Sequence, residues 1–385
     1  MKQNLKMLVL GGYGKTGQVF CRYLLKETPV TVIVAGRRLE KATEFVDTLK
    51  KEFSSARMTA CYADASDKES LRNAFSGIDF VLVTATTTQW AQQIAETAIE
   101  AKIDYLDIYF QQTVYPVLEP LQHQIEQAGC CFITQAGFHP GLPAAYIRKG
   151  ADYFDRYDKA IVAFVMNFRL ERSDSIYELV DAVADYHPEI YQNGQWRLGT
   201  YQDAIEIDYG PRFGVRSSLP IDMVEIKSLP EKLGLQETGI YTTGFNWFTD
   251  YLIFPLIVLS QQIKRGAFRG LWARMLTFGL NTFSGAETGV VFLLKAEGEK
   301  DGHPQRVDMM AEHDSAYEFT VIPVIACLQQ YLDGSIRKAG LWMMGHIVDP
   351  NRLFDDMEKM NAQTQIRVTP KGVCSSGFKH QRSGA

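Results

Sequence analysis

The feature that most constrains this chain is the alternation of short apolar runs with helical stretches across residues 1–140. The runs fall at residues 7–10, 30–35, 58–62, 80–84, 105–108 and 130–134. Between them, residues 15–26, 39–51, 70–75, 91–101 and 118–128 read as helices; in the second of these the apolar positions are Ala42, Phe45, Val46 and Leu49. A strand with one wet face alternates polar and apolar side chains, whereas these runs are short and nearly continuous, as strands covered on both faces are. Right-handed crossovers through the helices then predict an α/β fold, a doubly wound parallel Rossmann sheet occupying residues 1–142.

Beyond that point the pattern changes. Residues 160–168 and 289–296 read as longer strands among aromatic-rich helices, predicting an α+β substrate or dimerisation domain over 143–333 and hence a homodimer. Residues 317–332 read as a long apolar helix interrupted at Pro323. The polar, Gly- and Ser-containing stretch 371–385 is expected to be a mobile tail.

Composition narrows the partners. A net charge of −5 leaves no basic field to attract nucleic acid, and none is expected. The six cysteines (Cys21, Cys61, Cys130, Cys131, Cys327 and Cys374) form no C-x-x-C pair and are expected to be reduced thiols, with no metal site. With neither a secretory h-region nor a membrane-length apolar run, a cytoplasmic protein is expected.

The chemistry begins at residues 11–17, Gly11-Gly12-Tyr13-Gly14-Lys15-Thr16-Gly17. Gly12, Gly14 and Gly17 make a G-x-G-x-x-G placed after a strand and before a helix, the context that turns a weak motif into a dinucleotide-binding prediction. One glycine permits the turn, the next admits a pyrophosphate against the backbone, and the third lets helix and strand pack closely. The helix N-terminus supplies N–H donors to the phosphates. An NAD site commonly ends its second strand with a carboxylate for the ribose 2′-hydroxyl; here that place reads Ala35-Gly36-Arg37-Arg38. Arg37 and Arg38 suit a 2′-phosphate, which favours NADP over NAD, although two solvated loop arginines would look the same. Asp64 reads either as an adenine-side contact or as a simple cap, and Thr84, Ala85 and Thr86 should underlie the nicotinamide half.

Together with Lys41-Ala42, Asp104-Tyr105-Leu106-Asp107, the segment Gly137-Phe138-His139-Pro140-Gly141-Leu142 and His313-Asp314-Ser315-Ala316-Tyr317, these residues resemble the saccharopine dehydrogenase-like reductases. The resemblance covers most of the chain but is sparse between 170 and 285. It implies NAD(P)-linked formation or cleavage of secondary amines on amino acids through an imine. It also implies that residues 334–370 return to the Rossmann domain. Other members act on lipid-like enoyl substrates.

Hydride transfer needs a proton donor or acceptor near the substrate heteroatom. Asp107 and Tyr109 follow the fifth strand, and His139 lies in the domain-linking turn with the most suitable intrinsic pKa. Each is equally readable as a residue that fixes its loop. The stretch 244–285 holds one acid, Asp250, and four bases, Lys264, Arg265, Arg269 and Arg274, among many aromatic and aliphatic side chains. It reads as buried helices, a dimer contact, or an apolar face lying on a membrane. Three functions therefore stand: an amino-acid imine reductase, a membrane-associated enoyl reductase on a lipid-like substrate, and a non-catalytic NADP-binding sensor or scaffold.

Overall fold

The computed structural model describes residues 5–53, 57–167, 175–264, 266–285 and 287–370. The chain divides into two compact units, residues 1–145 with 317–360, and residues 146–316 with 361–385.

In the first unit six strands, β1 (Lys6–Leu10), β2 (Thr31–Gly36), β3 (Met58–Tyr62), β4 (Phe80–Val83), β5 (Asp104–Asp107) and β6 (Cys131–Thr134), join a seventh, Gly340–Met343. All pair in parallel, and from one edge the order is Gly340–Met343, β6, β5, β4, β1, β2, β3. The direction of winding reverses between β1 and β4, and ligands of open α/β sheets bind outside the strand ends at such a reversal. Strand β4 (FVLV) is buried throughout, as a two-face-covered strand must be. Helices α1 (Lys15–Glu27), α2 (Leu39–Glu52), α3 (Lys68–Phe75) and α4 (Ala91–Ala101) cover the sheet. Helix α3 starts two residues earlier than its apolar pattern suggests, because the Asp67 carboxylate accepts from the N–H groups of Glu69 and Ser70.

The returning segment differs from the expected 334–370. It enters the first unit at Tyr317, leaves at Met360, and supplies the seventh strand. Residues Thr364–Pro370 instead form a strand of the second sheet, pairing with His303–His313. The helix Ala316–Leu332 runs through Pro323 without interruption. Residues 321–328 are buried without exception, so packing on every side outweighs the roughly 3 kcal/mol a helical proline costs. Asp104 anchors this segment: its carboxylate accepts from the Tyr331 hydroxyl, the Arg337 Nε–H at 3.0 Å and the Cys131 N–H at 2.7 Å.

The second unit is a mixed sheet. Its central strand Arg156–Asn167 pairs in parallel with Glu237–Thr243 and antiparallel with Gly289–Lys300, which forms a hairpin with His303–His313. A separate apolar cluster packs helices Ser175–Ala184, Phe254–Ile263 and Arg269–Phe283, with the turn Thr249–Ile253, against one another through Ile176, Val180, Ile253, Ile257, Leu276 and Leu280. No described helix is long and apolar enough to cross a membrane. The proposed tail 371–385 lies outside the described residues.

Candidate functional site: a dinucleotide cradle

The glycine turn closes β1 onto α1. Gly11 holds the left-handed conformation (φ +87°), one place before the glycine expected to provide the turn, and its N–H bonds the Ala35 carbonyl at 2.8 Å. A Cβ at Gly11 would lie 2.8 Å from the backbone of Ala85, so the turn after β1 and the loop after β4 meet here at glycine distance. A Cβ at Gly17 would collide with the Gly11 carbonyl oxygen, which is the close helix–strand packing expected of the third glycine. Gly14 differs: a Cβ there would meet only the Gly11 carbonyl oxygen, at 3.1 Å. The cradle therefore opens at Gly14. No side chain caps the first turn of α1, whose N–H groups follow through Lys15, Thr16 and Gly17. An exposed, glycine-walled helix start fits a pyrophosphate.

The adenosine end is built on Tyr13. Its ring lies across Gly36, where an added Cβ would come within 2.5 Å of it, and its hydroxyl accepts from the Arg38 N–H at 3.2 Å. The Arg38 guanidinium stands 5.9 Å from the ring centroid. Arg37 and Arg38 are both exposed, and among the described residues neither forms an ion pair within 4 Å. Two such cations beside an aromatic platform, with no carboxylate at the strand end, fit a ribose 2′-phosphate. Asp64 has the capping part of its two readings. It accepts from the N–H and hydroxyl of Ser66 at 2.9 and 2.8 Å, and these bonds, with a smaller contribution from the Arg37 charge, hold its carboxyl below the ordinary value.

The strand ends of β4 and β5 form the other half. The Thr84 hydroxyl is turned onto the Leu10 carbonyl at 3.0 Å, so it clamps β4 to β1 rather than facing a ligand. Ala85 packs on Gly11, and Thr86 is exposed. Thr87, absent from the expected set, places its hydroxyl 2.7 Å from the Tyr109 hydroxyl. Thr88 donates to Gln111 at 3.0 Å, continuing a neutral polar rim. Only the Thr-rich run 84–88 hinted at these residues in the sequence.

Asp107 and His139 differ from free acid/base groups. Asp107 is fully buried: its Oδ1 accepts from the N–H groups of Tyr109 and Gln135, both at 3.2 Å, and its Oδ2 from the Tyr105 hydroxyl at 2.9 Å. Desolvation pushes its carboxyl up to about 6, while the Thr134 and Tyr105 hydroxyls and the two N–H groups pull against it. It ties the loop after β5 to the loop after β6, a positioning role. His139 sits between Phe110 and Phe138, with ring centroids at 5.6 and 3.9 Å. Desolvation lowers its pKa to about 3, so the ring is neutral near pH 7 and the ordinary imidazole pKa that recommended it is lost.

Residues 7–133 match the model of the saccharopine dehydrogenase NADP-binding domain. The whole chain is 23% identical to the carboxynorspermidine synthase of Vibrio cholerae, across 90% of this chain and 93% of that protein. Its fold matches an apo saccharopine dehydrogenase (L-Glu forming) from Saccharomyces cerevisiae with a TM-score of 0.72, at 14% identity, over 95% of this chain and all of that one. The chain is an NAD(P)-dependent oxidoreductase that is similar to the saccharopine dehydrogenases. In this chain the turn 11–17, Tyr13 and the Arg37–Arg38 pair would hold the dinucleotide, whose nicotinamide supplies or accepts a hydride. All the sequence-derived site residues lie in the first unit.

Proposed function

We propose that this chain uses NADP(H), in preference to NAD(H), to form or cleave a secondary amine derived from an amino acid, by way of an imine. The exposed Arg37–Arg38 pair on the Tyr13 platform carries the cofactor half of this reading. The relative named carboxynorspermidine synthase, aligned across both chains almost end to end, supports the amine half. In the reductive direction a hydride joins the imine carbon, the C=N electron pair moves to nitrogen, and nitrogen takes one proton. The Tyr109–Thr87 hydroxyl pair, beyond the ends of β4 and β5, would hydrogen-bond that nitrogen. Asp107 holds the loop that carries Tyr109. Gly14 leaves the backbone open to the pyrophosphate.

The test is a fluorescence titration with NADPH and NADH, followed by NADPH oxidation with paired amines and oxo acids, and separately with enoyl thioesters. Charge-assisted hydrogen bonds are worth about 1.5–3 kcal/mol each, so Arg37→Ala with Arg38→Ala should weaken NADPH binding by at least about 100-fold and NADH binding little. Equal loss for both nucleotides would refute the 2′-phosphate assignment. Turnover with enoyl thioesters alone would move the substrate to a C=C bond. Binding without turnover on either panel would leave a dinucleotide sensor.

A further inference from the structure

The helical cluster of the second unit carries an apolar surface that its own core leaves uncovered. From the π-helical turn Thr249–Ile253 into the helix Phe254–Ile263, Trp247, Tyr251, Pro255, Val258 and Leu259 recur at three- and four-residue steps and are all exposed. The opposite side, Ile253, Ile257 and Ser260, is buried. In the helix Arg269–Phe283 the exposed stripe is Leu271, Arg274 and Phe278, while Trp272, Leu276 and Leu280 face the cluster. Trp247, Phe248, Phe278 and Phe283 form one contiguous aromatic patch, with the Trp247 and Phe283 centroids 5.1 Å apart and those of Phe248 and Phe283 5.0 Å apart. Trp247, Tyr251 and Phe278 are 59%, 83% and 56% exposed, values that folding alone does not produce for side chains of this size in such numbers.

The charge around the patch selects the occupant. Asp250, the single carboxylate of residues 244–285, is turned inwards to the Phe245 N–H and the Thr249 hydroxyl, both at 3.0 Å. Arg269 is paired with Asp181. Lys264 and Arg274 are exposed and, among the described residues, carry no ion pair. A second copy of this face would set these cations against their own kind, with no carboxylate of the patch to offset them. Anionic headgroups offset them directly, and Trp and Tyr prefer the boundary between headgroup and acyl chain. No described helix can span a bilayer, so the face lies on it.

We propose that residues 247–260 and 269–283, with Lys264, form a peripheral docking surface for anionic lipid bilayers, with the aromatic patch entering the interface and Lys264 and Arg274 meeting the headgroups. This surface uses no residue of the dinucleotide cradle, so it stands or falls independently of the cofactor assignment.

The experiment is flotation of the full chain with vesicles of phosphatidylcholine alone or enriched in phosphatidylglycerol, at low and high salt. The chain should float with the anionic vesicles at low salt, with a blue shift of tryptophan emission that Trp247→Phe removes. Lys264→Gln with Arg274→Gln should weaken binding about 25-fold, at about five-fold per cation near the surface. Trp247→Ser with Phe278→Ser should abolish it, while the melting temperature and NADPH titration of both variants stay those of the parent. Failure to float with anionic vesicles, or flotation unchanged in both variants, would overturn the proposal. So would a wild-type dimer that the Trp247→Ser, Phe278→Ser variant turns into a monomer, since the face would then be a contact between copies.

Discussion

Replacing His139 by glutamine should make the protein less sensitive to mild acid. In the unfolded chain the imidazole titrates at its ordinary value of 6.5, whereas between Phe110 and Phe138 desolvation holds it near 3. A group whose folded pKa is depressed binds its proton first in the unfolded state, so stability is lost as pH falls from about 6.5 towards 3. At about 1.36 kcal/mol per pH unit, the folded state loses about 2 kcal/mol between pH 7 and pH 5 on account of this ring alone. Glutamine has a similar polar reach and cannot titrate, so His139→Gln removes that slope while other acid-sensitive groups contribute equally to both proteins. Urea unfolding of parent and variant at the two pH values, compared as a difference of differences, measures it. Parallel stability losses would refute the desolvated cage. An imidazole carbon resonance titrating near 6.5 would refute it more directly, and would restore His139 as a proton donor near pH 7.

Other perturbations separate architecture from binding. Gly17→Ala should cost the first unit several kcal/mol and lower its melting temperature, because the new methyl meets the Gly11 carbonyl. Gly14→Ala should leave the melting temperature within a few degrees and still weaken NADPH, since its methyl meets only the Gly11 carbonyl oxygen, at 3.1 Å, where a methyl at Gly17 lies much closer to it; equal destabilisation by the two would refute this division. Asp107, pushed up to about 6, is most stabilising when protonated, so the folded state should lose stability as pH rises from about 4 to 6. Asp107→Asn should flatten that rise-linked loss, read by the same paired unfolding experiment. Asp104→Ala should destabilise the first unit by about 2–4 kcal/mol, because the buried Tyr331 hydroxyl and Cys131 N–H lose their acceptor; thermal melts of the variant would test it.

Much of the first unit is written locally. Continuous apolar strands, helical spacing and the glycine turn depend on residues within a few positions of one another, so periodicity alone yields a parallel sheet and places the cradle at the end of β1. The arginine pair after β2 is legible for the same reason, because its chemistry needs no distant partner. The choice between Gly11 and Gly12 as the left-handed residue was not, since it depends on how closely Ala85, in the loop after a distant strand, approaches.

The acid/base candidates show where local reading stops. An intrinsic pKa belongs to a residue type, but desolvation and hydrogen bonding come from residues far along the chain: Phe110 for His139, Thr134 and Gln135 for Asp107. The same holds for the returning segment. Pro323 reads as a break, yet burial on all sides keeps its helix intact, and Asp104 meets Tyr331 and Arg337 across more than 220 residues. The sequence by itself determined the sheet type, the dinucleotide turn and the cationic, aromatic character of residues 244–285. Only the tertiary structure decided which titratable groups are enclosed, which hydroxyls meet at the strand ends, and which side of each apolar helix is left facing out, because each is a matter of what long-range packing brings alongside.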